Sequence, residues 1–233
     1  MSKIIKNLIP KTTPYSKIST EVKEIMYNTL KYPVKISDYL NKNNKNEIRK
    51  QISPYDNNKH ICYYKNTDPI GMKNYFENYE KNRSYWENNP FSIKKDIFLH
   101  AAHLLETKYY NKMIAYTILG QNKNMYEAEL DSICELVDFL RFNTYYAEQI
   151  QNKQPIQTEN IINKSEYNPL NGFIASITPF NFTAIGGNLA TAPLLFGNSV
   201  LWKPSDNSIL SNHLFYEIML EAGLPKGVLN FCP

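Results

Sequence analysis

The stretch GFIASITPFNFTAIGGNLATAPLLFGNSVLWKPSDNSILSNHLFYEIMLEAGLPKGVLNF, residues 172–231, decides the fold of this chain. Short apolar runs at 173–178, 199–203 and 228–231 predict strands, because turn residues bound each of them. Longer apolar segments at 182–196 and 208–222 predict helices, the second closed by Gly223. This alternation, with its short connections, indicates an α/β fold that begins a doubly wound parallel sheet.

The sequence upstream of this unit is predicted to be rich in helices, at 20–32, 75–86, 92–106, 109–119 and 125–149. We expect Ser19 or Thr20 to cap the first helix, Ser92 to cap the third and Gly120 to stop the fourth. Two strands around a turn are predicted at 52–64, a loop in the Asn/Lys-rich stretch 41–50, and a two-stranded hairpin or arm at 154–170. The chain therefore divides into a helical N-terminal part, residues 1–165 with the arm at about 150–167, and a βαβαβ unit, residues 166–233.

Composition limits the class of protein. Hydrophobic residues make up 42% of the 233 residues, which is enough for a sizeable core. The 26 basic and 22 acidic side chains are interspersed and sum to a net charge of +4, so no nucleic-acid partner is indicated. No apolar run approaches the ~18 residues of a membrane span, so no membrane partner is predicted.

The carboxyl ends of parallel strands are where such sheets bind ligands, which singles out residues 178–181 and 203–206. No glycine-rich turn follows the first strand, so a dinucleotide would have to bind in another way. Asn181 offers amide donors that suit a developing oxyanion, but Asn is also a favoured helix N-cap, and the residues alone favour the cap. Lys203 and Asp206 could bind sugar hydroxyls, or Lys203 could be a solvated side chain before a turn, which the residues alone again favour.

Two further groups of reactive side chains lie on predicted helices. An acidic stripe is predicted on the long helix, where Asp131, Glu135 and Asp138 share one face; such a stripe is usually solvated, with Arg141 available to pair with Asp138. His100 and His103 lie one turn apart without a third ligand, so no metal site is predicted.

The three cysteines, Cys62, Cys134 and Cys232, are widely spaced, which fits a reducing compartment better than a disulfide framework. Cys134 falls on the buried face of the long helix, and the other two fall in predicted strands. None has a helix N-terminus or a basic partner to lower its pKa, so none is predicted to be a nucleophile.

Several segments resemble one enzyme family. ITPFN, GNSVLWKPS and EAGLPKGVLNFCP are similar to signature segments of the aldehyde dehydrogenase superfamily, in the same order and spacing. FNFTAIGGNLA, with ISPYD, DIFLHAAHLLE and GQNKNMYEAELDSICELVDFLRFN upstream, resembles its Δ1-pyrroline-5-carboxylate dehydrogenase branch, whose members oxidise L-glutamate γ-semialdehyde with NAD. The resemblance extends over nearly the whole chain from about Asn7.

The resemblance implies a role for particular residues. Asn181 corresponds to the family's oxyanion-stabilising residue, and Glu135 and Phe182 to residues at the substrate site. The residues implied at the NAD site are Thr178, Pro179 and Phe180 on the nicotinamide side and Lys203, Ser205 and Asp206 on the adenosine ribose side. Many family members carry Glu where this chain has Asp206.

The resemblance also implies partners and a wider context. It implies a small-molecule aldehyde substrate, a homo-oligomer formed through the arm, and an intracellular location, which is the mitochondrial matrix in a eukaryote and otherwise the cytoplasm. The family's nucleophilic Cys and general-base Glu fall after Pro233, so this chain is expected to be an N-terminal portion without the catalytic domain. The alternative is a non-catalytic fragment that keeps only part of a cofactor-binding or subunit-interaction surface.

Overall fold

The computed structural model describes residues 5–36 and 45–233 of the chain. The first four residues of the predicted helical part, and positions 41–44 of the predicted Asn/Lys-rich loop, lie outside the described residues. Within them, no helix is both long enough and apolar enough to cross a bilayer.

A small three-stranded sheet and one helix open the fold. Their bounds are α1 Thr20–Lys31, β1 Val34–Lys35, β2 Ile48–Ser53 and β3 Asp56–Lys65. The strand order is β1-β3-β2, with β1 parallel and β2 antiparallel to β3. Ser19 caps α1, because its side chain accepts a hydrogen bond from the Val22 N–H. The predicted first helix, its cap and the two strands around a turn are thus confirmed. The loop predicted at 41–50 was wrong over its last three residues, because β2 begins at Ile48 and pairs with β3.

Three helices follow, and two of the predicted signals at their ends were wrong. The helices are α2 Pro69–Asn88, α3 Phe91–Glu106 and α4 Tyr110–Gln121. Pro90, not Ser92, occupies the N-cap of α3, because the fixed φ of proline starts that helix without a side-chain cap. Gly120 does not stop α4; the helix continues to Gln121 and ends at Asn122, which adopts the left-handed conformation with φ 56°.

The predicted long helix is interrupted rather than regular. It consists of α5 Met125–Glu129, a π-helical turn at Leu130–Glu135, and α6 Leu136–Asn152. A π-helical turn adds a residue to the turn and so rotates the side chains that follow it. The prediction of one continuous α-helix over 125–149 was therefore wrong at its centre, and this changes which acidic side chains are buried.

The predicted arm folds back on itself without becoming a regular hairpin. Its only ladder contact among the described residues is an isolated antiparallel bridge between Thr158 and Ile161. Side chains make most of the remaining cross-links, for example between Gln154 and the backbone of Ser165. Polar side chains that bond to nearby backbone compete with a strand ladder, which is why the strand pattern was misleading here.

The decisive stretch folds as predicted. Its elements are β4 Phe173–Ile177, α7 Thr183–Thr191, a 3₁₀ helix at Ala192–Phe196, β5 Ser199–Lys203, a short 3₁₀ turn at Asp206–Ser208, α8 Ile209–Glu221 and β6 Leu229–Phe231. The three strands pair in the order β4-β5-β6 and are all parallel. This confirms the α/β class and the parallel sheet.

One hydrophobic core runs through both halves of the chain, from Val22 on α1 to Phe231 on β6. The fully buried ring of Trp202 contacts the rings of Phe215 and Phe231 at centroid distances of 6.3 Å and 5.2 Å. The proposed division into residues 1–165 and 166–233 stays a prediction, and this shared core joins its two parts.

Candidate functional site

The site is built at the carboxyl ends of β4 and β5, where two loops lie side by side. Ile177 is paired with Lys203 across the strands, and the Thr178 N–H extends the ladder by donating to the Lys203 carbonyl at 3.1 Å. The loop after β4 carries residues 178–182 and the loop after β5 carries residues 204–208. Parallel pairing therefore brings together the two segments that the sequence singled out.

The loop after β4 has one buried and two exposed residues before Asn181. Thr178 is 4% exposed, and its hydroxyl accepts a hydrogen bond from the Trp202 indole N–H at 2.9 Å. Pro179 and Phe180 are exposed. The Thr178 side chain thus anchors the loop to β5, and Pro179 and Phe180 are the members of the predicted nicotinamide set whose side chains face solvent.

Asn181 is not the cap of α7. Phe182 occupies that N-cap position and makes no side-chain cap bond. The N–H groups of Thr183 and Ala184 donate instead to the carboxylate of Asp131, at 3.0 Å and 2.9 Å. The exposed Asn181 amide has no hydrogen-bond partner within the part of the chain that the structure describes. The cap interpretation favoured by the residues alone was wrong, and the Asn181 amide is available to a ligand.

Glu135 and Phe182 line the same cleft, of ≈ 500 Å³. The other lining residues are Asn7, Asp138, Phe139, Phe142 and Ile185. Burial, and then the nearby Asp131 carboxylate, raise the pKa of Glu135, while Lys123 acts in the opposite direction. The cleft therefore pairs a half-buried acid with an aromatic wall, which suits a ligand that has both a cationic group and an apolar stem.

The acidic stripe is not the solvated surface that was predicted. Asp131 is 1% exposed and pairs with Lys123 at 2.6 Å. Asp138 does not pair with Arg141; its carboxylate accepts hydrogen bonds from the Asn7 side chain at 2.7 Å and the Leu8 N–H at 2.9 Å. The π-helical turn makes the difference, because it turns these carboxylates toward other segments. Arg141 pairs instead with Glu106.

A neighbouring acid, Glu129, holds the N-terminal segment against this region. Its carboxylate accepts hydrogen bonds from the N–H groups of Lys11 and Thr12, at 2.6 Å and 2.8 Å, and from the Tyr110 hydroxyl. Burial opposes ionisation of Glu129, but these hydrogen bonds outweigh burial and leave its pKa lowered. No local sequence pattern indicates this buried acid, because its backbone partners, Lys11 and Thr12, lie more than a hundred residues away.

Lys203 and Asp206 meet at the end of β5. The Lys203 ammonium is 3.0 Å from the Asp206 carboxylate, and both side chains are about half exposed, at 49% and 44%. Asp206 also pairs with Arg49 of β2 at 3.2 Å, a contact that the sequence analysis missed. Ser205 lies between them and accepts the Asn207 N–H at 3.4 Å.

A second contact from β2 holds the same loop. Gln51 is 2% exposed; its amide donates to the Asn207 carbonyl at 2.6 Å and accepts from the Leu210 N–H at 2.8 Å. Gly120 permits this approach, because a Cβ there would lie 2.8 Å from Gln51 Nε2. Gln51 therefore joins the first turn of α8 to the N-terminal sheet.

The three cysteines are all buried and free of disulfides. Burial raises the pKa of each thiol, Cys62, Cys134 and Cys232, to about 12. The thiolate is the attacking form of cysteine, so none of them is suited to nucleophilic attack at neutral pH.

Metal ligands do not cluster among residues 5–36 and 45–233: no group of three or more His, Cys, Asp or Glu side chains could hold an ion. His100 Nδ1 lies 3.3 Å from the Ala222 carbonyl oxygen, so this histidine has a structural contact.

Fold and site together define a βαβαβ unit of three parallel strands with polar side chains at its carboxyl edge. The chain belongs to the aldehyde dehydrogenase family, whose sequence model matches residues 39–233. That family is the one that the sequence segments resembled.

Two relatives to which the chain is similar carry the same enzyme name. It is 47% identical to the probable delta-1-pyrroline-5-carboxylate dehydrogenase of Schizosaccharomyces pombe, over 81% of this chain and 34% of that protein. It is 40% identical to the mitochondrial delta-1-pyrroline-5-carboxylate dehydrogenase of Homo sapiens, over 80% of this chain and 33% of that protein. The chain spans about a third of the length of these curated relatives.

A solved structure shares the fold. The NAD-bound Delta-pyrroline-5-carboxylate dehydrogenase of Mycobacterium tuberculosis superposes with a TM-score of 0.90 at 35% identity, covering 98% of this chain and 44% of that one.

Proposed function

We propose that the protein to which this chain belongs oxidises L-glutamate γ-semialdehyde, the open-chain form of 1-pyrroline-5-carboxylate, to L-glutamate with NAD. The observation that carries the proposal is the cleft shared by Glu135 and Phe182, which adjoins the unpartnered amide of Asn181 along the chain. The names of the relatives at 40% and 47% identity support the substrate. The mitochondrial name of the human relative supports an intracellular location.

The donor and acceptor groups at the end of β5 fit NAD. Asp206 can accept from ribose hydroxyls and Lys203 can donate to them, and both are exposed enough to do so. We therefore assign Lys203, Ser205 and Asp206 to the adenosine ribose, and the loop after β4, residues 178–180, to the nicotinamide side. Bound NAD supplies the hydride acceptor for the oxidation.

Asn181 has the chemistry to stabilise the reacting oxygen. When a thiolate attacks the aldehyde carbon, the carbonyl oxygen becomes an anion, and an amide N–H aimed at that oxygen stabilises it. The Asn181 amide is exposed at the end of β4 and is not engaged in capping α7. The Asn181 amide would therefore break no hydrogen bond within the described part of the protein when it donates to the oxyanion.

Glu135 and Phe182 suit the rest of the semialdehyde. The substrate carries an α-ammonium group, which the Glu135 carboxylate can pair with, and an apolar stem, which can pack on the Phe182 ring. Burial and the Asp131 carboxylate raise the pKa of Glu135, and a bound ammonium would oppose both by stabilising the ionised form.

We propose that the attacking thiol and the general base are supplied by polypeptide other than residues 1–233. The burial of the three cysteines of this chain, which raises the pKa of each thiol to about 12, supports this proposal. The isolated chain should then form no NADH from NAD and the semialdehyde.

We also propose that the arm, at about 150–167, contributes to a homo-oligomer. Ile156, Ile161 and Ile162 are 88%, 62% and 90% exposed, and this group of apolar side chains supports a contact with a second copy.

The proposal is tested with two aldehydes that differ in one group. L-Glutamate γ-semialdehyde carries the α-ammonium, and 5-oxopentanoate is the same chain without it. Glu135→Gln in the complete protein should raise the KM for the first at least tenfold and leave the KM for the second unchanged, because charge pairing is lost only for the ammonium. Equal effects on both aldehydes, or no NADH formation by the unaltered protein, would overturn the assignment.

A further inference from the structure

The carboxylate of Asp131 is buried and all of its partners lie outside its own helical turn. One oxygen accepts the Ala184 N–H at 2.9 Å; the other accepts the Thr183 N–H at 3.0 Å and the Lys123 ammonium at 2.6 Å. Asp131 is 1% exposed, and the Lys123 side chain is 14% exposed. A carboxylate of the π-helical turn thus caps α7, which lies some fifty residues further along the chain.

Lys123 also contacts the cleft residue itself. Its ammonium lies 3.8 Å from the centroid of the Phe182 ring, which is the geometry of a cation–π contact. The ion pair therefore holds Phe182 at two points: Lys123 lies against its ring, and Asp131 binds the backbone of the next two residues.

A third side chain from the same region fixes the other end of the loop. Gln121, the last residue of α4, donates to the Phe180 carbonyl at 3.0 Å and contacts the Thr183 hydroxyl at 3.0 Å. Asn181 is therefore flanked on both sides by residues whose positions are fixed from segment 121–131, while its own amide is left unbound.

A local cap would have been the simpler way to start α7. Ser, Thr, Asp or Asn at position 182 could accept from the N–H of Ala184 or Ile185 without burying an ion pair. Burying Asp131 and Lys123 costs desolvation that the pair recovers only in part, so stability is a weak reason for the arrangement. What the arrangement does achieve is to free the N-cap position for an aromatic side chain that lines the cleft.

We propose that Asp131 and Lys123 are positioning residues of the dehydrogenase reaction, which set Phe182 and Asn181 in place without touching the substrate. The proposal rests on the proposed function. If Asp131 and Lys123 are positioning residues, their loss lowers turnover and weakens aldehyde binding. If they only cap α7, their loss lowers stability alone.

The test uses the complete protein and three variants. Asp131→Asn keeps the side-chain shape but turns an N–H₂ toward one of the two backbone donors, so the loop must shift. We expect kcat to fall about 10²-fold, the cost of a displacement of about 1 Å at a reacting group, with the KM for NAD unchanged. Lys123→Gln keeps a donor for Asp131 but removes the cation above Phe182, and should raise the KM for the semialdehyde roughly 2- to 10-fold.

The matched control is Glu148→Gln, which breaks the Lys95–Glu148 ion pair at 2.7 Å between α3 and α6. It should lower the melting temperature slightly and leave kcat and both KM values unchanged. Asp131→Asn that melts lower but keeps full kcat would overturn the proposal, since it would then behave as a cap alone. If Asp131→Asn does not fold, Lys123→Gln decides, and an unchanged aldehyde KM overturns the proposal.

The two proposals fail in different ways. An unaltered protein without activity on the semialdehyde overturns both, because there is then no such reaction for the pair to support. An active protein in which Asn181→Ala is impaired, but Asp131→Asn and Lys123→Gln are not, overturns the positioning role alone.

Discussion

Gln51→Leu should destabilise the protein by about 2 kcal/mol and loosen the loop that carries Asp206. The substitution keeps the approximate side-chain volume but removes the acceptor of the Leu210 N–H and the donor to the Asn207 carbonyl, now at 2.8 Å and 2.6 Å. Leu210 is 2% exposed, so its N–H is left without a partner, at a cost of about 1–3 kcal/mol. Asn207 is exposed, so water can satisfy its carbonyl at little cost.

Urea unfolding measures the first effect and steady-state kinetics the second. Gln51→Leu should shift the unfolding midpoint without changing the slope, and should raise the KM for NAD more than it lowers kcat, because Asp206 directly precedes Asn207. Gln149→Leu, at an exposed position of α6, is the control and should change neither. A Gln51→Leu protein as stable as the unaltered one would refute the account of this contact.

Three further changes test other parts of the account. Lys203→Ala should raise the KM for NAD about tenfold with kcat nearly unchanged, since its contact is made in ground and transition states alike; a fall in kcat alone would argue against the assignment. Glu129→Gln should lower the free energy of unfolding more at pH 7 than at about pH 3. The pKa of Glu129 is lower in the folded protein than the unfolded value of 4.5, so its ionised form stabilises the fold above pH 4.5, and this stabilisation is lost as the pH falls through the folded pKa. Equal losses at both pH values would contradict this. Gly187→Ala should destabilise by about 1–3 kcal/mol in thermal unfolding, because its Cβ would lie 2.7 Å from Phe215 Cε1 and 2.8 Å from Leu136 Cδ1, and a more stable variant would show that these side chains can move apart.

Local signals in the sequence predicted what local physics controls. The apolar run at 199–203 matches β5 residue for residue, and the Ser19 cap forms as expected, because each depends on neighbours within one turn or strand. The parallel order followed from the alternation of strands and helices. These features determine the α/β fold class and place Lys203 and Asp206 at the carboxyl edge of the sheet.

Long-range contacts were not predictable in the same way. Asp131 caps a helix 52 residues away, and Gln51 bonds Leu210 at a separation of 159 residues. The π-helical turn has no signature in hydrophobic spacing, yet it decides that Asp131 is buried while Glu135 reaches the cleft. The cap predicted at Asn181 was wrong for the same reason, because Asp131 caps α7 from a distance.

Oxyanion stabilisation by Asn181 is tested by comparing Asn181→Ser with Asn181→Ala in the complete protein. Both variants should melt like the unaltered protein, because Asn181 caps nothing. Both should lose roughly 10²–10³ in kcat, with a much smaller change in the KM for the aldehyde, since the donor acts only after attack. An Asn181→Ala protein that turns over L-glutamate γ-semialdehyde at the unaltered rate would contradict the account.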